Sequence, residues 1–443
     1  MSQAVSAKLS VSEYPPLAAA LAALADLTAP EPVPAVSMNA EGRLLIVGEA
    51  DVALGWAERL AGQRTVTVLA PVAVDLPEEA DFAVENGSNL RLAGHLGAFV
   101  ASWQAAGELR QGTFDVVLDL SPKALLNRVE LPPGYIAPGR DPLDQALAVI
   151  DLLAFDGEFE KPRYVAVNER LCAHSRSQKA GCSNCIEVCA TEAITSAGDK
   201  VALDPYLCQG CGTCATVCPS GALAFQYPRV ADVGVAIKAQ LKAYRAAGGE
   251  NPCLLFHSAE AGKKELAMLK RAGGKLPANV IPVETWSIDA VGLDLMLGAV
   301  ALGACQVALL GTGSHDLAPQ HKQAGLAQRI LNGIGYAGDY VRIIAGGSDV
   351  FAAFADWVPA AAVPPAEFRL LAEKRTTLEF VVDHLLRHAP AAPEFIELPA
   401  GAPFGNVTVS EACTLCMSCV GACPASALKA AADAPRLSFL ERN

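Results

Sequence analysis

Residues 208–219 read CQGCGTCATVCP, and residues 413–424 read CTLCMSCVGACP. Cys208, Cys211, Cys214 and Cys218 stand in a C-x2-C-x2-C-x3-C run closed by Pro219. Cys413, Cys416, Cys419 and Cys423 repeat that run, closed by Pro424, at an offset of 205 residues. The segments that follow, PSGAL (219–223) and PASAL (424–428), match as well. An earlier copy is looser. Cys182, Cys185 and Cys189 align with Cys211, Cys214 and Cys218 at an offset of 29, and ATEAI (190–194) aligns with PSGAL. A strict copy would put its first cysteine at Lys179. Cys172 takes that part instead, which lengthens the loop CAHSRSQKAGC (172–182) by seven residues, and Ala190 stands where the other copies have proline.

The spacing has a chemical reason. A cubane [4Fe–4S] cluster offers four irons, each taking one thiolate. Three cysteines separated by two residues can curl around one cluster, while the fourth opens a short helix pointing toward a neighbour. Two such motifs exchange their fourth cysteines and hold two clusters side by side. Structural zinc is the competing use of C-x2-C pairs, but zinc sites join two pairs across a dozen or more residues. With 14 cysteines in a chain of 443 residues that has no signal-peptide pattern, the grouping reads as metal sites in a reducing compartment, the cytoplasm, rather than as disulfides.

Residues 170–226 resemble the bacterial two-cluster ferredoxins. The resemblance implies one cluster on Cys172, Cys182, Cys185 and Cys218, and another on Cys208, Cys211, Cys214 and Cys189. A third cluster would rest on Cys413, Cys416 and Cys419, with Cys423 reaching to a neighbour that the sequence does not contain. Cys253 and Cys305 are the two spare cysteines, and both read as buried free thiols in apolar strand-like settings. Cys189 and Cys208 are 19 residues apart, and 20 residues follow Cys423. From this we expect the native chain to continue with a further cysteine motif near position 444, so that the C-terminal segment is incomplete here.

Around the cysteines the pattern is α/β. LLIVG (44–48), VTVLA (66–70), FDVVLDL (114–120) and RYVAV (163–167) read as buried parallel strands, with a hairpin at 82–101 turning at Asn86, Gly87 and Ser88. CLLFH (253–257), VIPVE (280–284), VALLGT (307–312) and VRIIAG (341–346) read the same way, separated by helical stretches at 260–272, 288–303, 318–334 and 349–357. The expected organisation is a leader helix and Pro-rich linker (1–40), a Rossmann-like α/β domain (41–167), a two-cluster ferredoxin-like module (168–230), a second α/β domain (250–390) and a ferredoxin-like C-terminal segment (405–443). The apolar stretch 291–313 contains Asp294, Gln306 and several glycines, so it reads as a buried helix running into a buried strand and not as a membrane span.

The weaker signals assign little. VGEADVALG (47–55) is a strand–turn–helix without G-x-G-x-x-G, so a plain scaffold outweighs a nucleotide or flavin site. GTGSHD (311–316) and AGGSD (345–349) suit ordinary strand-to-helix turns, with Ser348 or Asp349 as N-cap, better than a phosphate site. This unit faintly resembles the delta subunit of methyl-viologen-reducing hydrogenases, in fold and not in site. His174 reads as a solvated loop residue, with a hydrogen bond near a cluster as the alternative. His315 and His321 lack a third ligand. A net charge of −13 argues against a nucleic-acid partner. Across GEFEKPRYVAVNERLCAHSR (157–176) and LPAGAPFGNVTVSEACTLCMSC (398–419) the chain resembles proteobacterial multi-cluster ferredoxin-like proteins encoded near formate dehydrogenases. The expected role is electron transfer to or from a partner oxidoreductase, such as a dehydrogenase. The alternatives are a flavin- or nucleotide-dependent redox enzyme and a maturation or redox-sensing factor.

Overall fold

The computed structural model describes residues 14–71, 80–176, 179–312, 316–347, 350–391, 393–423, 426–434 and 436–440. Two parallel sheets, each dressed with helices, flank the region of the first eight cysteines. The chain is α/β, as its apolar runs predict.

The first sheet has five strands in the spatial order Ala83–Asn86, Thr65–Ala70, Arg43–Gly48, Val116–Leu120 and Tyr135–Ile136, and every pairing is parallel. Leu44, Ile46, Val66, Val68, Val116 and Leu118 form its core with Ala53, Ala57 and Leu60 of helix Ala50–Leu60 and with Ala148, Val149 and Leu152 of helix Pro142–Leu153. That helix starts cleanly because the Asp141 carboxylate accepts from the Leu143 and Asp144 amides, with proline at the first helical position. A second, antiparallel sheet of Ser88–Ala93, Phe99–Ala105 and Glu108–Phe114 lies beside it.

Three expectations change in this region. The hairpin turns at Gly94–Ala98, not at Asn86–Ser88, which instead carry the chain from the parallel sheet into the antiparallel one. Gly94 takes φ +103°, and a Cβ there would meet the Ala98 carbonyl oxygen at 2.2 Å. The run FDVVLDL is not one strand, because it breaks at the fully buried Asp115. The Asp115 carboxylate accepts from the Glu41 and Arg43 amides at 2.9 and 2.8 Å and from the Arg43 guanidinium at 2.5 Å. Burying such a carboxylate costs less once these charge-assisted bonds replace water. Finally, RYVAV leaves the parallel sheet altogether, since Val165–Val167 pairs antiparallel with Leu223–Phe225 beside the cysteines.

The second parallel sheet has four strands in the order Val280–Thr285, Cys253–Ser258, Gln306–Gly311 and Val341–Ala345. Its helices include Ala261–Arg271, Leu293–Ala301 and Ala318–Gly333. The helix expected over 288–303 starts late, because residues Ile288–Ala290 form a 3-10 turn capped by Ser287. Every residue of Leu293–Ala301 is buried. Among the described residues no helix is long and apolar enough to cross a membrane. Gln306 donates to the Trp357 and Val358 carbonyls, which satisfies the polar side chain inside the core. Two long helices, Val230–Ala246 and Lys374–Arg387, add to the helical stretches that the sequence pattern predicts. Residues 313–315 of GTGSHD, with His315, and Ser348 and Asp349 of AGGSD lie outside the described residues.

The N-terminal region is more than a linker. Helix Pro15–Ala22 packs on helix Val230–Ala246, placing Ala20 in the second core. The next strand, Ala35–Ala40, pairs antiparallel with Gly157–Pro162 at the border of the first α/β region.

Candidate metal centre

The region of the first eight cysteines is built from two similar halves. Strand Val165–Val167 leads into a cysteine loop, helix Asn184–Glu187 and strand Ile194–Ala197. Strand Lys200–Leu203 leads into the second loop, helix Thr213–Val217 and strand Leu223–Phe225. The halves are joined by antiparallel pairing of first strand to last and of the two middle strands, and the short helices touch. Cys172, Cys185, Cys214 and Cys218 are buried with Ile194, Val201, Leu223 and Phe225 in one apolar cluster.

The loop Cys208–Cys218 can curl as it does because of two glycines. Gly210 (φ +79°) lies under the ring of Tyr164, where a Cβ would come within 2.5 Å of a ring carbon. Gly212 (φ +88°) faces Ala290, whose Cβ would stand 2.6 Å away. Tyr164 is held in turn by Trp286 and Tyr227, at ring-centroid distances of 5.5 and 6.0 Å.

The resemblance to two-cluster ferredoxins divides the eight thiols into two groups of four. Burial raises the Cys182 thiol, and the charges of Cys218 and Cys172 add to the effect. Cys185 is pushed up to about 11 by burial and then by Cys218, Cys182 and Cys172. In the other group, burial pushes Cys208 up to about 11, with Cys211 and Cys189 adding and Lys161 opposing. Cys214 is raised well above the usual thiol range by burial, then by Cys211, Cys208 and Cys189, and last by Cys185 of the first group. Cys182 and Cys185 thus have Cys172 and Cys218 as neighbours, and Cys214 has Cys189, Cys208 and Cys211, with Cys185 beyond them at the junction of the two groups. Among the described residues no three His, Cys, Asp or Glu side chains converge tightly enough to hold a single ion. A multinuclear centre takes one thiolate per iron, so its ligands stand apart. Thiols kept neutral by burial give up their protons when a bound cation replaces that charge, and donors of this kind suit iron–sulfur chemistry.

Backbone and hydroxyl donors already point at several sulfurs. The Gly210 and Asn184 amides lower the Cys208 and Cys182 thiols against the effect of burial, and the Thr213 hydroxyl donates to Cys211 at 3.5 Å. His174 is a correction to the sequence reading. It is buried, not solvated, with Nδ1 at 2.8 Å from the Cys182 carbonyl oxygen and Nε2 at 2.7 Å from Ser196 Oγ. The imidazole thereby ties the start of the long first loop to its end at Cys182 and to Ser196.

Two lysines that the motif pattern does not single out reach in from outside. Lys161 Nζ donates to the Tyr206 and Cys208 carbonyls at 2.6 and 2.9 Å. Lys374 Nζ donates to the carbonyls of Ala215, Thr216 and Cys218 at 3.0, 2.7 and 3.1 Å. No local sequence signal marks either one, because each becomes a neighbour of the cysteines only through the tertiary fold.

The third motif stands apart. Cys413, Cys416 and Cys419 are exposed and Cys423 is partly buried. Its helix Ser418–Ala422 contacts the hairpin of Leu428–Ala430 and Leu437–Phe439. Pro424 and Ala425 lie outside the described residues. Cys416 is lowered, chiefly by its hydrogen bond with Ser418. Cys253 and Cys305 are buried near each other at the second sheet, and burial raises both thiols.

Residues 179–222 match the 4Fe-4S dicluster domain family. This part of the chain is a 4Fe–4S module of ferredoxin type, and the match supports iron–sulfur electron transfer as its general chemistry. The match starts beyond Cys172, at the end of the lengthened loop. No curated protein matches the chain.

Proposed function

We propose that this chain is an electron-transfer protein or oxidoreductase subunit that relays electrons through [4Fe–4S] clusters to or from a partner oxidoreductase. What supports the proposal is the paired two-half module that brings the eight cysteines together around one apolar cluster, with residues 179–222 matching the 4Fe-4S dicluster domain family. On this reading Cys172, Cys182, Cys185 and Cys218 hold one cluster, and Cys208, Cys211, Cys214 and Cys189 hold the second. Cys413, Cys416 and Cys419 are ligands of a third, with Cys423 directed elsewhere. When bound, each cluster supplies a one-electron couple.

The protein's own residues do the rest. Tyr164 and Ala290 hold the second loop in its curl, His174 fixes the first, and amides and hydroxyls aimed at the sulfurs stabilise thiolate charge. The two α/β regions provide docking faces for a dehydrogenase partner, with formate dehydrogenase the first to test. Iron and acid-labile sulfide counting on anaerobically purified protein, with EPR of the reduced form, checks the reading. About eight irons per chain indicate two clusters, and about twelve indicate three. Zinc without labile sulfide would sink the proposal.

A further inference from the structure

The two lysines that enter the cysteine module come from elements of different α/β regions. Lys161 belongs to strand Gly157–Pro162, at the border of the first α/β region. Lys374 opens helix Lys374–Arg387, which packs on helix Leu293–Ala301 of the second. Lys374 is 9 % exposed although it is a lysine, whereas Lys161 is half-buried. The hydrogen bonds described for each ammonium go to carbonyl oxygens, which carry only partial charge. One ends on Cys208, a member of the second thiol group, and the other on Cys218, a member of the first.

Part of this arrangement is structural. The carbonyls of Ala215, Thr216 and Cys218 lie at the end of helix Thr213–Val217, where backbone acceptors lack helical partners, and an ammonium there caps the helix. A neutral donor could fill that need. A full positive charge does something more. Reduction adds one negative charge to a cluster, and a fixed cation one residue from a ligand favours that state, more strongly where water is excluded.

We infer that Lys161 and Lys374 are positioning residues that set the potentials of the two clusters separately, one lysine to each cluster and one from each flanking α/β region. Lys374 raises the potential of the cluster on Cys172, Cys182, Cys185 and Cys218. Lys161 raises that of the cluster on Cys208, Cys211, Cys214 and Cys189, more weakly because water reaches it. The inference rests on the ligand assignment proposed above.

The test is a potentiometric titration of the full chain followed by EPR, with iron and labile sulfide counted on the same samples. Lys374→Met should lower the reduced fraction of one cluster at a fixed potential by roughly threefold to tenfold and leave the other nearly unmoved. Lys161→Met should act in the same direction, by a smaller factor, on the other cluster. Lys374→Arg and Lys161→Arg keep the charge and should restore both. Unmoved potentials at full iron content, or an equal shift of both clusters in each variant, would overturn the inference. Loss of iron in both Lys374→Met and Lys374→Gln would also overturn it, leaving Lys374 as a helix cap alone. A parent protein without labile sulfide would overturn the cluster reading itself, and is told apart by the iron count.

Discussion

The loops Cys208–Cys218 and Cys413–Cys423 have identical spacing and different settings. At the 205-residue offset, Gly210, Gly212 and Gly221 correspond to Leu415, Met417 and Ser426, and all six have positive φ, between +52° and +88°. The setting of the first sulfur is similar too: the Leu415 amide donates to Cys413 at 3.4 Å, and the Gly210 amide lowers the Cys208 thiol. Cysteine spacing thus carries the backbone path with it, even where the glycines are gone. Burial does not follow. Cys214 and Cys218 are buried, whereas Cys413, Cys416 and Cys419 are exposed. A side chain in the left-handed region costs about 1 kcal/mol or more. The third loop accepts that cost at Leu415 and Met417 without an apolar wall around its sulfurs. Spacing specifies which atoms can ligate, and surroundings decide how firmly the metal is kept.

The sharpest way to break this comparison is to remove one cysteine from each loop. Cys214→Ser, at the junction of the two groups, should cost most of the roughly eight irons of the module, while Cys419→Ser should cost at most about four, read by iron analysis. Challenge with a chelator comes next. Iron held by the exposed loop should be lost at least about tenfold faster than iron held by the buried one, followed by the decay of visible absorption. Gly210→Ala drives a Cβ into the Tyr164 ring and should destabilise the module by about 2–3 kcal/mol, measured by denaturant unfolding.

A pH series on cluster-free protein sharpens the contrast further. Cys185 and Cys208 are raised to about 11 in the folded chain, so the fold favours their neutral form. That stability is present in full below the ordinary thiol range and is lost as pH rises from about 8.5 through 11. Cys416 is lowered, so its segment should show no such loss, which proton-exchange or proteolysis rates across that range can check. The smallest effect runs the other way. Leu415→Gly relieves the left-handed strain and should lengthen iron retention in the third loop, with a gain of about 1 kcal/mol or less.

The chemistry was the most legible part of the sequence. Thiol spacing is a local signal, and so are the apolar runs that became the strands Arg43–Gly48, Thr65–Ala70, Cys253–Ser258 and Gln306–Gly311. What escaped the sequence reading depended on distant partners. Nothing within FDVVLDL says that Asp115 will be claimed by the Glu41 and Arg43 amides, more than 70 residues earlier in the chain, and so will break the run. RYVAV has the look of a parallel strand, yet its partner is Leu223–Phe225 across the cysteine loops. His174 is polar in a polar loop, and only the fold reveals that Cys182 and Ser196 enclose it. The lysines are the extreme case, since a charged residue on a short strand or at a helix start ordinarily faces solvent.

Lys374 follows Cys218 by 156 residues, and that separation has a consequence for how the protein is made. By the time Cys218 leaves the ribosome, all eight cysteines of the module have been synthesised. The ammonium that closes the end of helix Thr213–Val217 arrives only on the order of ten to thirty seconds later, at ordinary rates of translation. The nascent chain therefore passes through a window in which its thiols are complete while their surroundings are not. Iron delivered in that window meets a looser and more open cradle than iron delivered afterwards. Timing of cofactor delivery relative to chain elongation thus becomes part of what decides the yield of intact protein.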